Sequence, residues 1–150
     1  MTYFNSVDAT SGAISVLFID ATVQDSWTLL KSLKPNVYAH VLNAQEDGIA
    51  QITRVLHDHY RNTTIQTVYI VAHGEPGCLF LGNSELSLKT FNTYIRWISM
   101  WQAESFCLYS CNVAAGPAGK QLLSQLQSLL KVEVAASTTP PSCCTINCMP

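Results

Sequence analysis

Continuous apolar runs of strand length alternate along the chain with stretches in which apolar residues recur every three or four positions. This alternation predicts an α/β protein. Ala13 to Asp20 is an apolar run closed by an acid, the pattern of a strand buried on both faces. Gln24 to Leu33 follows as a short helix with Trp27, Leu30 and Leu33 on one face, and Pro35-Asn36 breaks it. Val37 to Leu42 predicts a second strand. Glu46 to Tyr60 predicts a helix in which Ile49, Ile52, Val55 and Leu56 fall at helical spacing, and Ile65 to Ala72 predicts the third strand.

A compact segment, Gly74-Glu75-Pro76-Gly77, then leads into Cys78 to Leu81. With Gly82-Asn83 as a turn and Glu85 to Leu88 returning, this predicts a small hairpin beside the main sheet. Thr90 to Gln102 reads as a helix carrying Phe91, Tyr94, Ile95, Ile98 and Trp101, and Ser105 to Tyr109 as the fourth parallel strand. Ala118 to Leu130 reads as a helix reached through Gly116 and Pro117, a proline suited to a first turn. Val132 to Ala136 is the fifth strand, after which periodicity stops. The expected architecture is a three-layer α/β/α sandwich on a mostly parallel sheet, plus the hairpin. Residues 1–12 read as a flexible N-terminal segment, 13–137 as one domain and 138–150 as a disordered Pro/Cys-rich tail that contributes little to stability.

Composition narrows the function classes. The 150 residues are 48% hydrophobic, enough for a substantial core without metal or disulfide support. Only 12% are charged and the net charge is −2, so no basic stripe suggests nucleic acid or an anionic membrane. The longest apolar runs, Ala13 to Ile19 and Val68 to Ala72, are strand-sized, and no membrane insertion is expected. The polar opening Met1 to Gly12 lacks the charged start and apolar stretch of a secretory leader, so a cytoplasmic location is the default expectation. Oligomeric state is left open.

The candidate chemistry sits at two strand ends. Val68 to Gly74 closes in His73-Gly74, and Phe106 to Cys111 closes in a cysteine. Neighbouring parallel strands would bring an imidazole and a thiol to one sheet edge, where the first can take the proton of the second. Asp20 ends the first strand at the same edge, either to hydrogen-bond the following turn or to receive a basic side chain of a substrate. The segment Asp20 to Asp25 contains no glycine, which speaks against a dinucleotide or P-loop site, and no cofactor is expected. Cys143, Cys144 and Cys148 crowd the tail without paired C-x-x-C spacing or downstream histidines, so they read as oxidation-prone thiols rather than a zinc site. Cys78 and Cys107 read as small buried hydrophobes. His40, His57 and His59 read as structural or solvated, and Tyr94, Trp97 and Trp101 as core and helix-face packing.

A hydrophobic strand ending in His73-Gly74, followed by another ending in Cys111, resembles the caspase-like cysteine peptidases, a clan that includes caspases, metacaspases, gingipains, legumain and separase. More closely, five blocks spread over Ile14 to Ser137 resemble an uncharacterised bacterial domain of unknown function. These are Leu17 to Asp20, Glu46 to Ile52, Val71 to Gly74, Leu81 to Asn83 and Ser110 to Ala114. That domain typically lies near the start of large surface or secreted proteins with cadherin-like or calcium-binding repeats, which implies a cell-surface or secreted setting if this chain is part of such a protein. The resemblance implies His73 as general base and Cys111 as nucleophile, with the backbone N–H groups of Gly74 and Cys111 serving the oxyanion. It implies a cysteine endopeptidase acting on a peptide or protein substrate, its parent protein or a partner; the alternative is a noncatalytic recognition or secretion module on the same fold. The chain departs from the pattern beyond Ser137, where an acidic, Gly-containing continuation is replaced by Thr138 to Pro150, as a truncated or altered end would produce.

Overall fold

The computed structural model describes residues 13–24, 26–31, 33–110 and 112–136. Its elements in order are β1 (Ile14–Asp20), α1 (Ser26–Lys31), β2 (Val37–Leu42), α2 (Gly48–Tyr60), β3 (Ile65–Val71), β4 (Gly74–Glu75), β5 (Cys78–Leu81), β6 (Ser84–Ser87), α3 (Phe91–Ile98), β7 (Ser105–Tyr109), α4 (Gly116–Leu130) and β8 (Glu133–Ala136). Five of the strands form one sheet in the order β2-β1-β3-β7-β8, and every pair in it is parallel. The predicted α/β architecture is present, with a fully parallel main sheet. The predicted hairpin is one strand larger: Gly74 and Glu75 pair antiparallel with β5, making a three-stranded sheet of β4, β5 and β6.

The helices are shared unequally between the two faces. Ile14, Val16 and Phe18 of β1 point with Val68, Ile70, Phe106 and Val134 into a large core closed by Ile49, Ile52 and Leu56 of α2, Phe91 and Ile98 of α3, and Leu122 and Leu126 of α4. Leu17 and Ile19 point the other way, into a smaller core with Ala39, Tyr69 and Val71, covered by Leu29 and Leu30 of α1. The continuous apolar run of β1 follows from this, since both faces are covered and six of its seven residues are buried. Each fully buried aliphatic or aromatic side chain contributes about 1.5–3 kcal/mol. The interior is therefore the main source of stability.

Local signals set the ends of the helices. Asp47 caps α2: its Oδ1 accepts from the N–H groups of Ile49 (2.9 Å) and Ala50 (3.1 Å), while its Oδ2 accepts from the Tyr94 hydroxyl of α3 (2.8 Å). Helix α4 starts two residues before the predicted Ala118, with Pro117 in its first turn, and ends on Lys131 in the left-handed conformation. Helix α3 stops at Ile98, four residues short of the predicted end. The N–H groups of Met100 and Trp101 turn back onto the carbonyls of Trp97 (3.0 Å) and Ile98 (2.9 Å). Trp101, freed from the helix, is buried and donates its indole N–H to Thr53 Oγ1 at 2.9 Å, whereas Trp97 is 42% exposed and packs along the helix face on Tyr94, ring centroids 5.9 Å apart.

Candidate functional site

The chain runs outward from β1 to β2, then crosses back beyond β1 to β3 and on to β7 and β8. The reversal lies between β1 and β3. In an open parallel sheet the crevice at the carboxyl ends of such strands is the usual site for chemistry. Here it is formed by the turn after β1 and the residue that follows Ala72. His73 is exposed there, and its Nε2 lies 3.1 Å from the carbonyl oxygen of Thr22. A carbonyl can only accept, so Nε2 carries the proton and donates. The Nδ1 lone pair is then the basic position of the neutral ring.

The turn holding Thr22 is itself fixed by Asp20. This carboxylate is 2% exposed and its Oδ1 accepts from the Thr22 amide (3.0 Å) and the Thr22 hydroxyl (2.6 Å). Its Oδ2 accepts from the backbone N–H of Gly82, in the turn between β5 and β6. Of the two roles open to Asp20 in the sequence, hydrogen bonding to the following turn is seen directly. A pocket role would bring a substrate cation to a carboxylate that is almost fully buried and already holds three donors.

Position 73 is also tied to the rest of the site. The carbonyl of His73 accepts from Phe80 N–H at 2.9 Å, and Gly74, half-buried, opens β4 opposite Leu79. β3 and β7 are neighbours in register, Val71 opposite Tyr109, and the amide of Ala72 donates to the Tyr109 carbonyl at 3.1 Å. His73 and Cys111 each lie two residues beyond that pair in sequence. Cys111 lies outside the described residues, as does the tail with Cys143, Cys144 and Cys148, so the nucleophile assignment and the second oxyanion donor rest on the sequence.

The residues on either side of Cys111 are described. Asn112 is exposed in the left-handed region (φ 55°) and its carbonyl accepts from Ala115 N–H at 2.9 Å. The Val113 carbonyl accepts from Gly77 N–H at 2.9 Å, and Gly77 has a φ of 75° that favours glycine. A Cβ on Gly77 would stand 2.7 Å from that of Ala118, so the loop after His73 is packed directly against the start of α4.

Ser110 is fully buried, and its hydroxyl has no hydrogen-bond partner among the described residues. An unpaired buried hydroxyl costs about 1–3 kcal/mol. Ser110→Ala is therefore expected to leave stability unchanged or raise it by up to about 1 kcal/mol, measured by urea denaturation. A loss of more than that would show that the hydroxyl has a partner in solution.

Cys78 differs from a reactive thiol. Cys78 is half-buried rather than fully buried, and its Sγ donates to Glu85 Oε2 at 3.3 Å. Burial, followed by that carboxylate contact, pushes its pKa up to about 12, which suppresses thiolate at neutral pH. Cys107 is half-buried on β7. His57 and His59 are exposed near the end of α2, where His57 Nδ1 lies 3.1 Å from Asp58. Among the described residues no group of three His, Cys, Asp or Glu side chains is arranged to hold a metal ion, and no helix is long and apolar enough to cross a membrane.

Two groups at this edge had no signal in the sequence: the Thr22 carbonyl, because any residue type supplies a carbonyl, and the Gly82 amide, because it lies 62 positions from Asp20. A family model described as a domain of unknown function (DUF4347) matches residues 16–141. No curated protein matches the chain.

Proposed function

The chain belongs to the DUF4347 family, a domain of unknown function, and from that premise we propose that it is a cysteine endopeptidase of caspase-like pattern. In this reading His73 is the general base, Cys111 the nucleophile, and Gly74 and Cys111 the backbone oxyanion donors. The observation that carries it is the orientation of His73 by the Thr22 carbonyl at the carboxyl edge of β3, beside the strand that leads into Cys111. A donor at Nε2 directs the basic Nδ1 away from the turn. A thiol within its reach would lose its proton to it, and the thiolate would add to a scissile carbonyl whose developing charge the backbone N–H groups receive. The resulting acyl-enzyme would be released by water, with the imidazolium first giving its proton to the leaving amine. The substrate is a peptide or protein segment, and the parent protein or a partner met during export is the proposed source. Asp20 enters this reading through the hydrogen bonds it makes.

The test is iodoacetamide labelling of the reduced, folded protein, mapped by mass spectrometry. Cys111 is expected to label about tenfold faster than Cys78 or Cys107, and His73→Ala to slow it by about tenfold at neutral pH. Equal labelling of the three thiols, with no effect of His73→Ala, would remove the dyad. That outcome favours the second reading, a noncatalytic recognition module. One observation supports this second reading: Trp97 and Met100, 42% and 50% exposed, lie with Arg54 and His57 along a groove of about 370 Å³ between α2 and α3.

A further inference from the structure

We infer that Asp20 is a positioning residue for His73, acting through the Thr22 carbonyl and tied by Gly82 to the turn between β5 and β6. The inference rests on the reading of His73 as general base, and its test separates the two. A carboxylate 2% exposed is costly unless its oxygens are fully engaged, and here three donors engage them. Two of the three come from Thr22, one from its amide and one from its hydroxyl. A third tie, from Val23 N–H to the Asp20 carbonyl at 3.0 Å, closes the same turn.

The turn is thus held at three points, and what it presents outward is the Thr22 carbonyl that accepts from His73 Nε2. His73 is exposed, so no packing constrains its ring in the way a buried side chain would be constrained. The hydrogen bond to Thr22 sets both the ring orientation and the tautomer, and the stiffness of that acceptor is the stiffness of the ring. An aspartate that never touches the imidazole therefore governs which ring nitrogen is left basic for the nucleophile's thiol.

The third donor extends the coupling. Gly82 sits in the small antiparallel sheet, whose β5 also contributes Phe80 N–H to the His73 carbonyl. The side chain and the backbone of position 73 are consequently referenced to one rigid unit, one through Asp20 and Thr22, the other through Phe80.

Two variants test this on the whole chain. Thr22→Val keeps the shape and the amide but removes the hydroxyl donor. Asp20→Asn keeps one accepting oxygen but places an amide where Gly82 N–H needs an acceptor. The readout is the His73 ring by nitrogen-detected imidazole NMR at a pH where the ring is neutral, together with the melting temperature. Wild-type His73 is expected in a single Nε2–H form with a proton protected from solvent exchange. In Asp20→Asn the ring is expected to show mixed tautomers with about tenfold faster Nε2–H exchange, and in Thr22→Val about threefold, corresponding to the loss of one charged or one partial hydrogen bond. Thr22→Val leaves the Asp20 carboxylate two backbone donors and is expected to fold with a lowered melting temperature, so failure of Asp20→Asn to fold does not remove the test. Folded variants with a wild-type His73 ring overturn the inference, whatever their stability. A changed ring with unchanged Cys111 alkylation upholds the positioning role and sinks the peptidase reading instead.

Discussion

Replacing Gly82 with alanine should destabilise the protein by about 3–5 kcal/mol, a large part of the 5–15 kcal/mol that a domain of this kind has in total. Three losses add. Gly82 has a φ of 61°, in the left-handed region where a Cβ costs about 1–2 kcal/mol. That Cβ would stand 2.0 Å from the carbonyl oxygen of Glu46 and 2.8 Å from the amide nitrogen of Gly48, both backbone atoms that cannot swing aside. Relieving the clash moves the turn, which withdraws the Gly82 N–H from the buried Asp20 carboxylate and leaves a charge short of a donor, at a further cost of about 1.5–3 kcal/mol. Neighbouring Asn83 supplies the control. Its side chain donates to the Gln45 carbonyl at 2.9 Å, so Asn83→Ala should cost about 1 kcal/mol. Urea denaturation of the two variants checks this. A cost for Gly82→Ala no larger than that for Asn83→Ala would show that the turn is free to shift.

The same position marks the limit of what local sequence pattern encodes. Apolar periodicity located all five parallel strands, because a strand covered on both faces, such as Ile14–Asp20 or Ile65–Val71, has no choice but a continuous apolar run. It also located the helices, with their ends displaced by two to four residues where tertiary contacts override local pattern. The spacing of Ile98 and Trp101 continues a helix on paper, yet the indole of Trp101 reaches Thr53 only because the chain leaves the helix first. The Asp20, Asp47 and Gly82 blocks were visible as separate patterns. Their meeting, with Asp47 bridged to Gly82 and Asp20 bonded to its amide, depends on hydrogen bonds between residues far apart in the chain, which no period of two or 3.6 encodes. The histidine of the candidate site was legible from its place after an apolar strand. Its orienting partner was not, since a backbone carbonyl carries no residue-type signal.

Stability should also fall by about 3 kcal/mol as pH drops from 6.5 to 4, with His40 as the source. His40 lies on β2, 2% exposed, with Nε2 2.8 Å from the Tyr60 hydroxyl. Its ring is stacked between Phe18 and His59, at centroid distances of 5.6 and 6.2 Å, with Tyr60 edge-on at 5.6 Å. Burial, and then the positive potential of His59, lower its pKa from 6.5 to about 4. Burial also holds the Tyr60 phenol well above its usual range, so the pair meets as two neutral groups. Above pH 6.5 His40 is neutral in both the folded and the unfolded chain and contributes no pH dependence. Between 6.5 and 4 the unfolded chain takes up a proton that the folded chain refuses, and each unit of pH removes about 1.4 kcal/mol of stability until the folded ring is protonated too. His40→Gln replaces the ring with an amide that can still hydrogen-bond the Tyr60 hydroxyl but cannot titrate. It should be less stable than wild type at pH 7, because the aromatic stack is lost, yet decline less steeply towards pH 4.5. His57 and His73 are exposed and remain in both proteins, so the difference between the two curves of unfolding free energy against pH reports His40 together with its coupling to His59. Parallel curves would place the acid sensitivity elsewhere and show that the buried ring accepts a proton without cost.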